Sequence, residues 1–170
     1  MTISMYQASV PAFQKHLGAL DAILDKAAAY AAAKKIEPAA LLGARLYPDM
    51  FAFARQVQIT CDFAKGTTAR LAGVEVPIHA DTETTIPELK ARIAKVLAFI
   101  ATIRPEQMEA SYNRPLSIKV GPNDMTFAGG RDYLLDFALP NFYFHAATAY
   151  GILRHNGLEI GKRDFMRRDA

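Results

Sequence analysis

From Val10 onward the apolar residues fall at Val10, Phe13, Leu17, Leu20, Leu24, Ala27 and Ala31. These steps of three and four place them all on one face of a helix. A stripe that long must be covered by other helices, and two further segments repeat the pattern. Pro48-Asp49-Met50 opens a second helix carrying Met50, Phe53, Val57, Cys61 and Ala64, expected to run to about Lys65 before Gly66. Thr85-Ile86-Pro87-Glu88 has the form of a capping box and leads into Leu89, Ile93, Val96, Leu97 and Ile100 on one face, a third helix.

The first helix is expected to be capped by Ser9, with Ser4 to Ala8 forming a turn bent away by Pro11. Leu116, Ile118 and Val120 alternate with polar residues, and the turn residues 121–124 precede Met125-Thr126-Phe127, which predicts a short hairpin or a pair of extended strands. After the break at Gly129-Gly130, Tyr133 to Leu153 reads as a fourth helix, interrupted at Pro140 and closed by Asn156-Gly157. The fold class is therefore all-α: one four-helix-bundle domain over residues 1–170, with the β-hairpin or extended insertion before the last helix.

Composition narrows the function classes. The 170 residues carry a net charge of +3, with Lys and Arg interleaved among acids and only Arg167-Arg168 forming a basic pair, so nucleic acid is not an expected partner. The longest stretch without Lys, Arg, Asp or Glu in the C-terminal part, Phe137 to Leu153, is interrupted by Pro140 and too short to span a bilayer, so no membrane is expected. The N-terminus does not read as a signal peptide, which puts the mature start at Met1 or Thr2. One cysteine, Cys61, excludes an intramolecular disulfide and fits a reducing compartment, with the cytoplasm expected.

Four histidines carry the remaining chemistry. On one helix His145 and His155 would stand about 15 Å apart and about 80° round, too far to share a metal, and His155 beside Asn156-Gly157 reads as a helix-end residue. Asn141 precedes His145 by four residues, so the two side chains stand over one another on a face that also holds Leu134, Phe137, Thr148 and Ile152. A companion row on the second helix runs through Asp49, Phe53, Gln56, Thr60 and Phe63 and could face His145 across the bundle.

Two readings of His145 stand open: a core histidine satisfied by hydrogen bonds, or part of a polar pocket that His16 could also reach. Asp49 is equally a helix cap beside Pro48 or a site residue, and His79 falls in a solvated loop. In a partly polar cavity, burial would lower the His145 pKa, whereas a carboxylate such as Asp49 beside it would reverse the shift. Zinc spacings, a Walker loop and a dinucleotide fingerprint are absent, and Cys61 lies on the apolar stripe as a core thiol.

Two stretches carry a resemblance. LYPDMFAFARQVQITCDFAKG, residues 46–66, and FALPNFYFHAATAYGILRHNGLEIGKRDF, residues 137–165, resemble a bacterial family of unknown function within the DinB/YfiT-like metalloenzyme superfamily. The resemblance implies a four-helix bundle, a homodimer, and a divalent metal (Zn, Ni, Fe or Mn) held by a histidine of the second helix and an H-x-x-x-H pair of the last. Here His145 matches the second histidine of that pair and is the candidate metal ligand, while Asn141 stands in place of the first. Gln56, with Asp49 as the other possibility, matches the missing second-helix ligand. Amides are poor ligands for such metals, so the resemblance implies a degenerate site: a small-molecule pocket of Gln56, Asn141, His145 and Asp49, or a non-catalytic, dimeric interaction protein that has lost its metal.

Overall fold

A computed structural model of the protein describes residues 3–167. Met1 and Thr2, the expected mature start, and Arg168 of the terminal basic pair lie outside the described residues.

The chain forms α1 (Met5–Lys34), α2 (Pro38–Gly43), α3 (Phe53–Ala72), α4 (Ile86–Ala101), α5 (Pro105–Glu109), the hairpin β1 (Leu116–Val120) and β2 (Asn123–Phe127), then α6 (Gly130–Asp132), α7 (Leu139–His155) and α8 (Lys162–Met166). Helices α1, α3, α4 and α7 pack as the four-helix bundle, with α3 holding the most extensive interface with α7. Their inward stripes meet in a core that includes Phe13, Leu17, Val57, Cys61, Leu89, Ile93, Phe142 and Ile152.

The α1 start differs from expectation. Ser4, not Ser9, is the cap: its hydroxyl accepts from Gln7 N–H while the Gln7 side chain accepts from Ser4 N–H. Ser9 is buried inside the helix and donates to the Met5 carbonyl at 2.7 Å. Pro11 sits within α1 without ending it. Its ring is exposed, and Gln7, whose carbonyl loses its helical donor, is exposed as well, so the lost bond falls on the outer side of the helix.

Residues 44–52 form a closed loop instead of opening the second helix. Phe53 N–H donates to the Ala44 carbonyl at 2.9 Å, Met50 N–H to Tyr47 at 3.0 Å, and the Arg45 guanidinium to the Met50 carbonyl. With its ends tied, the loop uses Pro48 as a turn residue. At its other end α3 continues through Gly66 to Ala72 and stops at Gly73, whose φ of 70° supplies the left-handed cap. The Arg70 guanidinium lies over Gly66, 2.5 Å from where a Cβ would stand.

The Thr85–Glu88 capping box and the hairpin form as expected, with Leu116 opposite Phe127 and Val120 opposite Asn123. Leu116 and Ile118 are buried while the outer residues face water. Beyond the hairpin, Gly129-Gly130 lies against the backbone of Ser111 and Tyr112, with Gly130 N–H donating to Ser111 O at 3.0 Å.

The fourth helix is interrupted, as Pro140 requires, but by widening. Tyr133–Ala138 is a π-helical turn in which Leu139 N–H reaches the Leu134 carbonyl, and α7 begins with Pro140 in its first turn. Asn156 and Gly157, at φ 90°, close it.

Candidate functional site

Helices α3 and α7 bring Gln56 and His145 together. Gln56 is 1% exposed, and its amide is oriented at both ends: Nε2 donates to the Phe51 carbonyl at 3.3 Å, and Oε1 lies 2.6 Å from His145 Nδ1. Because that oxygen only accepts, His145 carries its proton on Nδ1 and leaves Nε2 as a lone pair. The sealed, unpartnered side-chain polar atoms among the described residues are His16 Nδ1, His79 Nδ1 and Arg92 Nε. His145 Nε2 is not one of them, and the residue keeps 9% of its surface open. Phe63 stacks on the imidazole at 5.9 Å and 17°, with Phe144 edge-on at 5.1 Å. Burial first, and the Arg55 charge second, hold the His145 pKa below 6.5.

The other expected members of the pocket are elsewhere or engaged. Asn141 is half-buried, and its amide donates to the Phe137 carbonyl at 2.8 Å along its own helix. Asp49 is exposed on the 44–52 loop, neither capping α3 nor facing His145, because the helix begins four residues later. Thr60 donates to the Gln56 carbonyl and Thr148 to the Phe144 carbonyl, so neither hydroxyl points at a ligand. His16 packs against Phe142, Tyr143 and Phe165 on the α1–α8 side and does not join the pocket. His155 is an exposed residue of the last turn, and Cys61 is fully buried with its thiol pushed up to about 12 by burial.

This donor set does not fit the divalent metal implied by the resemblance. Among the described residues, no three His, Cys, Asp or Glu side chains gather to hold one. A cation would meet a single imidazole nitrogen, with the Gln56 oxygen turned to Nδ1 instead. Gln56 takes the part of an orienting partner behind a histidine, as outer-shell acceptors do.

Two features lie outside the expected pocket. Arg92 of α4, 2% exposed, joins Asp62 of α3 to Asp81 and Glu83 of the 74–85 segment at 2.8, 2.9 and 3.1 Å. His79, in the same segment, is half-buried instead of solvated, and its pKa is lowered by burial and by the charges of Lys65 and Arg92. The second feature is a cavity of about 330 Å³ between α3, β1 and the π turn, lined by Phe63, Arg70, Ile118, Lys119, Tyr133 and Phe137 among others. Phe63 is shared: one side of it meets His145, and it also lines this cavity.

A four-helix bundle with a histidine at the α3–α7 contact and a hairpin inserted before the last long helix is a DinB-like fold. The sequence matches "Domain of unknown function (DUF1993)" over residues 5–166, and the chain belongs to that family. It is similar to a solved structure from Shewanella denitrificans described as a DinB family member protein, at 40% identity and a TM-score of 0.86, covering 98% of this chain and 95% of that one. No curated protein matches the sequence. Among the described residues no helix is long and apolar enough to cross a membrane.

Proposed function

We propose that the protein binds a small organic molecule at the His145 end of the bundle without a transition metal. The observation that carries this reading is the Gln56 Oε1–His145 Nδ1 contact: with its amide also donating to Phe51, Gln56 accepts at Nδ1 and leaves Nε2 as a neutral acceptor at the part of the site still open to solvent. A ligand hydroxyl or N–H is the matching group, and the lowered pKa keeps the acceptor unprotonated at neutral pH. No catalytic step is assigned to it. The buried, protonated Cys61 suits a reducing compartment, and the cytoplasm is the location this reading assumes.

The test is a histidine-ring ¹⁵N NMR titration with phenol and indole as neutral donors, followed by zinc. Saturable movement of His145 Nε2 by a donor, with no stoichiometric zinc effect, supports the reading. Zinc saturation near one equivalent restores the metal site and overturns it, as does a ring that answers to neither donor.

A second reading rests on exposed apolar side chains. Tyr47 and Phe51 of the 44–52 loop and Phe144 of α7 are 66%, 53% and 56% exposed. Two of them adjoin the site, Phe51 through its carbonyl to Gln56 and Phe144 against His145. This reading has a second copy of the chain cover that patch, making a homodimer in which the site is structural. Light scattering of the parent and of Phe144→Glu decides it: a dimer that the charge breaks supports the reading, and a monomer removes it.

A further inference from the structure

The cavity between α3, β1 and the π turn holds an arginine without an acid. Arg70 is half-buried, its guanidinium laid against Gly66 and donating through Nη1 to Tyr133 Oη at 3.3 Å. Tyr133 is 1% exposed and its hydroxyl also meets Thr67 Oγ1 at 3.3 Å, so the phenol anchors Arg70 from within the core. Among the described residues no carboxylate lies within ion-pair distance of Arg70, whereas Arg55, Lys65, Lys90 and Arg92 are each paired with at least one. Asp62 also lines the cavity, but its carboxylate is bound to Lys65 at 2.9 Å and Arg92 at 2.8 Å.

We propose that this cavity is a binding site for an organic carboxylate, with the Arg70 guanidinium taking the anion. A guanidinium presents a planar fork of donors matched to a carboxylate, and one held partly out of water gains most from such a partner. Lys119 on β1 adds a second positive charge at the cavity wall. The opposite lining is apolar: Phe63 and Phe137 stand 5.7 Å apart, Phe137 stacks on Tyr133 at 6.1 Å, and Ile118 and Val120 complete it. A volume of about 330 Å³ suits a ligand with one ring or a short chain. The site stands on Arg70 and its cavity, independently of the His145 reading, because Phe63 lies between the two.

The probe is 3-phenylpropanoate, with its neutral amide and inorganic phosphate as comparisons, followed by ¹H–¹⁵N NMR and calorimetry on the whole chain. The acid is expected to perturb Phe63, Ile118 and Phe137 saturably, to bind at least about tenfold more tightly than the amide, and to lose about tenfold in affinity in Arg70→Gln. If Arg70→Gln does not fold, the acid-to-amide ratio on the parent chain still decides. Equal binding of acid and amide, no saturable binding of the acid, unchanged affinity in folded Arg70→Gln, or phosphate binding as tightly as the acid would each overturn the proposal.

Discussion

Replacing Arg92 by methionine keeps most of the apolar stem and removes the guanidinium that ties three segments together. In the folded chain that group holds Asp62 at 2.8 Å, Asp81 at 2.9 Å, Glu83 at 3.1 Å and the Ala80 carbonyl at 3.0 Å. Removing one partner of a fully buried ion pair costs about 3–5 kcal/mol, chiefly because the other charge is stranded. Here the acids keep some water, with side-chain exposures of 36%, 39% and 13% for Asp62, Asp81 and Glu83. Asp62 and Asp81 also retain Lys65 and Arg55, which places the loss at the low end, about 3 kcal/mol. For a chain of this length that is a fall in Tm of about 6–12 °C. Arg92→Lys keeps one charge but not the fork, and should fall between the two. Thermal unfolding followed by far-UV circular dichroism reads the shift, and hydrogen exchange of residues 79–84 reads release of the segment. An Arg92→Met melting temperature equal to the parent's, with those amides still protected, would refute the claim that the cluster pins the segment.

Three further outcomes are expected. His145, His16 and His79 all have folded pKa values below 6.5, burial being the first cause in each. The unfolded chain therefore binds more protons below that value, so their contribution is present above about pH 6.5 and is lost as the pH falls from there through the lower folded values; urea melts between pH 5 and pH 8 should show this, and His145→Gln should flatten part of the slope. Gly130→Ala places a methyl 2.9 Å from Leu71 Cδ2 and inside contact distance of the Ser111 carbonyl, which should destabilise by about 2 kcal/mol in denaturant unfolding. Cys61, fully buried with a thiol near 12, should resist a thiol reagent in the native protein and react once it is unfolded.

What the sequence makes legible is what local chemistry decides. Thr85 and Glu88 form their reciprocal cap because both partners lie within one turn, and the hairpin is legible from alternation and turn residues, although Asn123 and Asp124, read as turn, pair within β2 opposite Val120 and Lys119. Pro11 misleads because a proline on the outer side of a helix leaves its orphan carbonyl to water, so it stops nothing. Gly66 misleads in the opposite sense, since it lies inside α3 and the glycine that ends the helix is Gly73. At the site, the facing of Gln56 and His145 is readable from helical spacing. Which of the Gln56 atoms faces His145 is not, because the Phe51 carbonyl that turns the amide belongs to a loop whose closure depends on Ala44. Arg70 has no distinguishing local pattern at all. Its isolation from acids follows from the fold, which sends Asp62 to Arg92 and Lys65 instead.

The π turn at Tyr133–Ala138 makes the two ends of the last long helix separately adjustable. A hydrogen bond spanning five residues accommodates one more amino acid than an α-helical turn, so everything before it is rotated by about 100° relative to an unbroken helix. Loss of a single residue there, for instance the half-exposed Leu135, would wind the segment back to ordinary pitch and swing Tyr133 away from Thr67 and Arg70. Phe142 and His145, on the far side of the turn, would keep their places. A one-residue insertion or deletion, usually the most disruptive change a helix can suffer, thus becomes here a way to retune one cavity while sparing its neighbour.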